Sequence, residues 1–379
     1  MTHIDLDAAE AGFTASTDFT VGLEEEFAIL EPATLEMVPR FEELRLSAEA
    51  ADDVLATSIS GELIASEIEI RSGRGGDVHD AIARQRDARR RLFALAEANG
   101  AWLGATGTHP WADYREIPNI DTEHYRRVVE GLQYVARRNN TFSLHVHVGI
   151  QGADRAMEVT DRLRGVLPTL LAVSANSPWI DGRDSGLHSA RTQTFTKSFP
   201  RCGVPDPFET WANWQQYVDL LLRTNSIVEF TQLWWSVRAH HSFGTIEVRI
   251  CDAQTTGPEA DGLIQLIVGC VAQALREIDA GEVPPPVPGR LIEENMWRAI
   301  RYGQDGKLLD LEAPTIEEFP ASEVADRLKA WAGVDVALPE LNGAQRQRRL
   351  IDGGASPYEV FKVCVDETRA TYSSQEETV

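Results

Sequence analysis

At 379 residues the chain is long enough to bury a large core, as one elaborate domain or as two. Its 59 acidic against 36 basic residues give a formal net charge of −23, which argues against nonspecific binding to nucleic acid or to an anionic membrane. Hydrophobic content of 43% and charged content of 25% are ordinary for a soluble globular protein, and no run approaches the roughly 18 apolar residues of a membrane span.

Residues 1 to about 17 are acidic and polar, which reads as a loose tail and not as a secretory signal. The first strand follows, Val21-Gly22-Leu23-Glu24-Glu25-Glu26-Phe27, with charged and apolar residues largely alternating. Glu24 and Glu26 share one face, whereas Glu25 falls on the apolar side and needs an edge position or a cationic partner. A second acidic segment runs from Glu62 to Ile70, in which Glu67 and Glu69 share a face opposite Ile68 and Ile70. Gly73-Arg74-Gly75-Gly76 reads as a turn, and no Walker-type phosphate loop occurs anywhere in the chain. Asp77 can cap a helix running to about Asn99, ended by Gly100, and Thr122 opens another.

His145-Val146-His147-Val148-Gly149-Ile150 is the third strand of the pattern, with both imidazoles on one face. Helical spacing recurs over about 154–175, 207–223, 258–279, 290–302 and 322–332. The fourth strand is Thr245-Ile246-Glu247-Val248-Arg249-Ile250, with Arg238 upstream after the apolar run Leu233-Trp234-Trp235. The proline-rich stretch 281–289 closes a helix as a stiff connector, and Ser373 to Val379 reads as a second loose tail. Four scattered cysteines (Cys202, Cys251, Cys270, Cys364) form neither a disulfide framework nor a zinc-ribbon spacing, so a reducing, cytoplasmic home is expected. Strands separated by helices can still pair antiparallel, and the expected class is α+β, one large curved sheet with helices behind it.

If the four strands lie in one sheet, their charged faces add up to a surface of carboxylates, imidazoles and guanidinium groups. Two carboxylates two residues apart on a strand stand roughly 7 Å apart, a spacing that suits two neighbouring metal ions. A His-x-His pair can bind a divalent metal such as zinc, or touch phosphate oxygens if the metal is the oxygen-loving magnesium. Glu247 beside Arg249 fits a clamp with the carboxylate on metal and the guanidinium on a transferred phosphoryl group, and Arg238 can be a second phosphate-binding arginine. Nucleoside triphosphate with magnesium is the natural ligand of such a face.

The ordered set Gly-Leu-Glu-Glu-Glu-Phe (22–27), His-Val-His-Val-Gly-Ile (145–150), Ser-Ala-Asn-Ser-Pro (174–178) and Phe-Gly-Thr-Ile-Glu-Val-Arg (243–249) resembles the glutamate–cysteine ligase type 2 family, a carboxylate–amine ligase group of the glutamine synthetase superfamily. Segments 179–183, 201–205 and 294–303 are also similar to its signatures, and the resemblance spans about residues 19–310. It implies a funnel-shaped site on a curved antiparallel sheet, binding ATP and magnesium ions. The implied chemistry makes an acyl phosphate from a carboxylate, usually the γ-carboxyl of glutamate, which an amine such as cysteine then displaces. By matching position the resemblance makes Glu24, Glu26, Glu69 and Glu247 metal ligands and Glu62 a further acidic ligand. It sets His145 or His147 on a metal or the nucleotide phosphates, and Arg249 with Arg238 on the transferring group. Alternation alone leaves Glu67 and Glu69 equivalent; the family pattern favours Glu69.

On this reading residues 18–310 form the catalytic domain and 311–372 a helical extension of it, with small-molecule partners and a homodimer as the expected assembly. Three other readings compete: a zinc hydrolase built on His145, His147 and the carboxylates, a phosphotransferase that stops before the second condensation, and a catalytically silent binding protein, which the full charged set disfavours. A different amine acceptor is a variant of the leading reading.

Overall fold

A computed structural model of the protein describes residues 5–311 and 315–373. The fold is α+β. Its centre is a seven-stranded sheet made of β1 (Val21–Leu30), β2 (Ile59–Ser60), β3 (Glu67–Arg71), β4 (Trp102–Gly104), β5 (Ser143–Gly149), β6 (Val237–His240) and β7 (Thr245–Asp252). The spatial order is β6-β7-β5-β1-β3-β2, with β4 also paired to β1, and every pairing is antiparallel.

The four alternating segments of the sequence are thus β1, β3, β5 and β7, and they are contiguous in the sheet. Alternation puts their apolar residues on one face, where Leu23, Val146, Val148, Ile246 and Val248 enter the main core. Helices α1 (Val78–Ala98), α2 (Ala153–Leu163), α3 (Leu167–Ser174) and α4 (Gly257–Ala280) pack on that face. Asp77 caps α1 by accepting from the Asp80 N–H, and Thr256 closes a capping box with Glu259 at the start of α4. Phe27, Ile68 and Ile70 join Leu92 and Phe93 of α1 in a second cluster. Helix α5 (Pro357–Tyr372) lies near the same strands and places Phe361 and Val365 beside Leu30 and Ala28.

Three expectations are corrected. The described part of the first expected tail is not loose: Leu6–Thr14 is a helix capped by Asp5, because Ala9 and Phe13, four residues apart, are buried and Phe13 meets Trp211 edge-on at 5.5 Å, while residues 1–4 lie outside the described residues. The single helix expected over 154–175 is two, since the chain breaks after Leu163 and restarts with Pro168 in its first turn. The segment expected to be helical from about 207 starts only at Trp211, where Thr210 provides the cap. Of the second expected tail, all but Ser373 lies outside the described residues. Among the described residues no helix is long and apolar enough to cross a membrane.

Candidate active site

The register brings the charged side chains into one row. Glu24 pairs with His145 on one side and Arg71 on the other, Glu26 with Glu69, Glu247 with His147, and Arg238 with Glu247. Paired residues in a sheet project to the same face, so all of them share the face opposite the core. Glu62 joins from the segment just before β3, and Glu67, two residues before Glu69, points the same way. Sequence reasoning missed Ser143 and Thr245 as members of the site, and gave no role to Arg71, the last charged position of the β3 alternation. Carrying the same alternation to the first residue of β5 and of β7 would have found the first two.

These groups are linked and mostly buried. The Ser143 N–H and hydroxyl donate to Glu26 Oε2 at 2.5 and 2.6 Å, and the Ser143 hydroxyl is 2.8 Å from His145 Nε2. His145 Nδ1 lies 3.1 Å from Glu24 Oε2, so the imidazole stands between Ser143 and Glu24. His147 Nδ1 lies 3.0 Å from the Thr245 hydroxyl. Its Nε2 is buried without a hydrogen-bond partner among the described residues, 3.4 Å from Glu24 Oε1 and 3.8 Å from Glu247 Oε1. Glu247, 1% exposed, is held by both arginines: Arg238 Nε at 2.5 Å from Oε2, and Arg249 Nη1 on Oε1.

The charges divide the face into two halves. Burial pushes Glu247 up, but Arg238, Arg249 and His147 outweigh it and hold the carboxyl well below its usual range. Glu24 is likewise low despite its burial, because His147 and His145 favour the anion. On the β3 side the balance reverses. Burial, together with Glu26 and Glu24, pushes Glu62 up to about 8, and burial plus neighbouring carboxylates pushes Glu67 and Glu69 well up. Burial and the Arg249 charge lower His145, whereas Glu247 and Glu24 raise His147 against the effect of burial.

Three triplets bring ligand atoms within 4.8 Å of one another: Glu24, His147 and Glu247; Glu24, Glu69 and His145; Glu26, Glu62 and Glu69. They share Glu24 and Glu69, so they form one continuous string of donors. The donor set is rich in carboxylate oxygen with at most one imidazole per triplet, which suits hard divalent cations such as magnesium or manganese better than zinc. Two further observations fit a cation here. His147 Nε2 faces the carboxylates of Glu24 and Glu247 at 3.4 and 3.8 Å without a hydrogen bond to either, a place a cation would share with them, and Nδ1 is oriented by a hydroxyl. Burial and neighbouring carboxylates raise Glu67 and Glu69, with Arg71 opposing at Glu69, and a divalent cation set among these acids would relieve that repulsion. Beside the first triplet opens a cleft of 960 Å³, lined by Gly22, Glu24, Arg71, Arg74, His147 and Phe243 among others.

The model of one protein family, glutamate–cysteine ligase family 2, matches residues 20–361. The chain belongs to this family. A relative from Rubrobacter xylanophilus with the provisional name glutamate–cysteine ligase 2-2 is 38% identical over 327 residues, which cover 85% of this chain and 82% of that protein. Another from Solibacter usitatus, provisionally a glutamate–cysteine ligase 2, is 34% identical over 368 residues, or 92% of this chain and 93% of that one. Among solved structures, the glutamate–cysteine ligase of Francisella tularensis, in complex with AMP, matches with a TM-score of 0.67 at 12% identity, covering 95% of this chain and 91% of that one. A bifunctional glutathione synthetase from Pasteurella multocida also matches with a TM-score of 0.67, at 11% identity; 97% of this chain is covered, but it spans only 54% of that one. This family 2 chain therefore shares its fold with the Francisella glutamate–cysteine ligase, and at that sequence distance the likeness is one of fold.

Proposed function

We propose that the chain is an ATP-dependent carboxylate–amine ligase that activates the γ-carboxylate of glutamate and joins it to an amine, most economically cysteine. The observation that carries this reading is the string of three carboxylate-rich triplets beside two arginines on one sheet face. Family membership supports the ligase class, and the AMP held by the Francisella neighbour supports a nucleotide.

In this reading Glu24, Glu26, Glu62, Glu69, Glu247, His145 and His147 would hold magnesium, which supplies charge neutralisation for a triphosphate. Glu69 is preferred over Glu67 because it belongs to two of the triplets and Glu67 to none. The cleft beside Glu24 and His147 has room for a nucleotide and offers Arg71 and Arg74 to its charge. A carboxylate oxygen of glutamate attacks the γ-phosphorus as ADP leaves, and Arg249 and Arg238 neutralise the charge that builds on the transferring group. The amine nitrogen then attacks the acyl carbon, phosphate departs, and the nitrogen loses a proton. Residues 18–310 and the extension 311–372 act as one catalytic unit; the Tyr372 hydroxyl donating to Glu25 Oε1 at 3.2 Å supports this.

The deciding experiment is ATP turnover with magnesium, glutamate and a panel of amines including cysteine, with products weighed by mass spectrometry. A mass of glutamate plus amine minus water, with ADP and phosphate, is the expected result. ADP without a condensed product would redirect the search to other amines. No ADP under any condition would overturn the reading, and stoichiometric, dialysis-resistant zinc would then favour the hydrolase.

A further inference from the structure

The register of β7 on β5 slips once. Val248 pairs with Val146, but the next pair is Cys251 with Leu144, so Arg249 and Ile250 together stand against His145 alone. This is a β-bulge, a device that re-aims a side chain and takes its carbonyls out of the regular ladder. The slip also sets Asp252, and not Cys251, opposite Ser143.

The bulge is held from outside the sheet by one side chain. Arg191, 3% exposed, donates from Nη2 to the Arg249 carbonyl and from Nη1 to the Ile250 carbonyl, both at 3.1 Å. Its charge is met by Asp252 Oδ1 at 3.7 Å, a carboxylate that is itself fully buried. Asp252 in turn accepts from the Asn176 N–H at 2.8 Å, the Ser177 hydroxyl at 2.6 Å and the Ser189 hydroxyl at 2.9 Å. The Ser177 hydroxyl accepts from the Arg191 N–H at 3.1 Å, so the motif at 174–178 and the arginine lock each other. A guanidinium that spans two adjacent carbonyls fixes the peptide between them, and that peptide starts at the Cα of Arg249. The Arg249 guanidinium reaches Glu247 and lies 3.5 Å from His145 Nδ1, while its Nε has no partner among the described residues.

We infer that Arg191 is a positioning residue for phosphoryl transfer: by clamping the two bulge carbonyls it sets the direction in which Arg249 presents its guanidinium. The inference rests on the ligase reading for its chemistry, but the clamp itself is a statement about Arg249 geometry and is tested separately.

Arg191→Met keeps an unbranched stem as far as the Nε position and removes both donors; Arg191→Lys keeps the charge and can satisfy one carbonyl. With Arg191→Met, kcat for ADP formation should fall about 100-fold while the KM for ATP stays within about threefold, and Arg191→Lys should recover part of the loss. In an Arg249→Lys background the same substitution should cost less than about threefold more, because its effect runs through Arg249. Equal losses in both backgrounds, or unchanged kcat in Arg191→Met, would overturn the proposal. If the Met variant does not fold, the cycle is run with Arg191→Lys and read in the same way. The arm that does not need turnover is the Nε–H resonance of Arg249, identified by its loss in Arg249→Lys. It should shift in the Arg191 variants, and an unmoved signal would refute the clamp. A wild-type protein that makes no ADP would sink the ligase reading and leave this arm to decide on Arg191.

Discussion

Glu25 lies on the opposite side of β1 from Glu24 and Glu26, and the guanidinium of Arg89 donates to it inside the core. Arg89 is 1% exposed and also reaches Asp261 Oδ1 at 2.8 Å, while Gln85 Nε2 and the Tyr372 hydroxyl complete the cage around Glu25 at 2.7 and 3.2 Å. The strand that carries two of the site's carboxylates is thus pinned from behind by a third. Removing the arginine leaves that anion buried and unpaired. Arg89→Met should therefore cost about 3–5 kcal/mol of stability, read from the midpoint of urea denaturation; a loss below about 1 kcal/mol would show that the cage does not carry the strand.

Glu26→Gln changes a donor atom on the charged face and leaves the apolar face of β1 untouched. The amide oxygen can still accept from the Ser143 N–H, so Ser143 keeps its place beside His145. Ligase turnover should fall by about two orders of magnitude or more, with the melting temperature nearly unchanged. Retained turnover would remove Glu26 from the site.

Arg249→Lys keeps a positive charge beside Glu247 but loses the planar fork. The expectation is a kcat lower by about 10²–10³-fold with little change in the KM for ATP, measured under saturating glutamate. An unaltered kcat would make Arg249 structural.

The pH dependence of stability follows from the β3 acids. Glu62 is raised to about 8 in the folded state by burial and by Glu26 and Glu24. Between the ordinary carboxylate range and about pH 8 the folded chain holds this proton more tightly than the unfolded chain. The group's contribution to stability is therefore present at low pH and is lost as pH rises. In EDTA the melting temperature of the wild type should fall relative to Glu62→Gln from about pH 5 to about pH 8. Excess magnesium should restore it most at the alkaline end, where the carboxylates are charged. Parallel curves for the two proteins, followed by differential scanning fluorimetry, would contradict the shift.

What the sequence discloses here is what depends on near neighbours along the chain. Alternation in β1, β3, β5 and β7 is a local, period-two signal, and it was enough to place Glu24, Glu26, Glu69, His145, His147 and Glu247 on one face. That Glu25 needs either an edge position or a cation was legible for the same reason. That the cation is Arg89 was not, since the two are 64 residues apart and only the fold brings them together. Arg191 and Asp252 stayed hidden because a bulge leaves no mark in a hydrophobic pattern. The N-terminal helix was missed because its apolar residues are mostly small alanines and the ring that Phe13 packs on, Trp211, lies far along the chain.

The Tyr372 hydroxyl and Glu25 are 347 residues apart. During translation, at roughly 5–20 residues per second, the acids of β1 leave the ribosome long before the phenol that braces their strand. A chain cut short ahead of its last helix would keep every candidate metal ligand and still lack that brace. Competence therefore comes late in synthesis, and a nascent or prematurely ended chain has the acids without the finished scaffold to aim them.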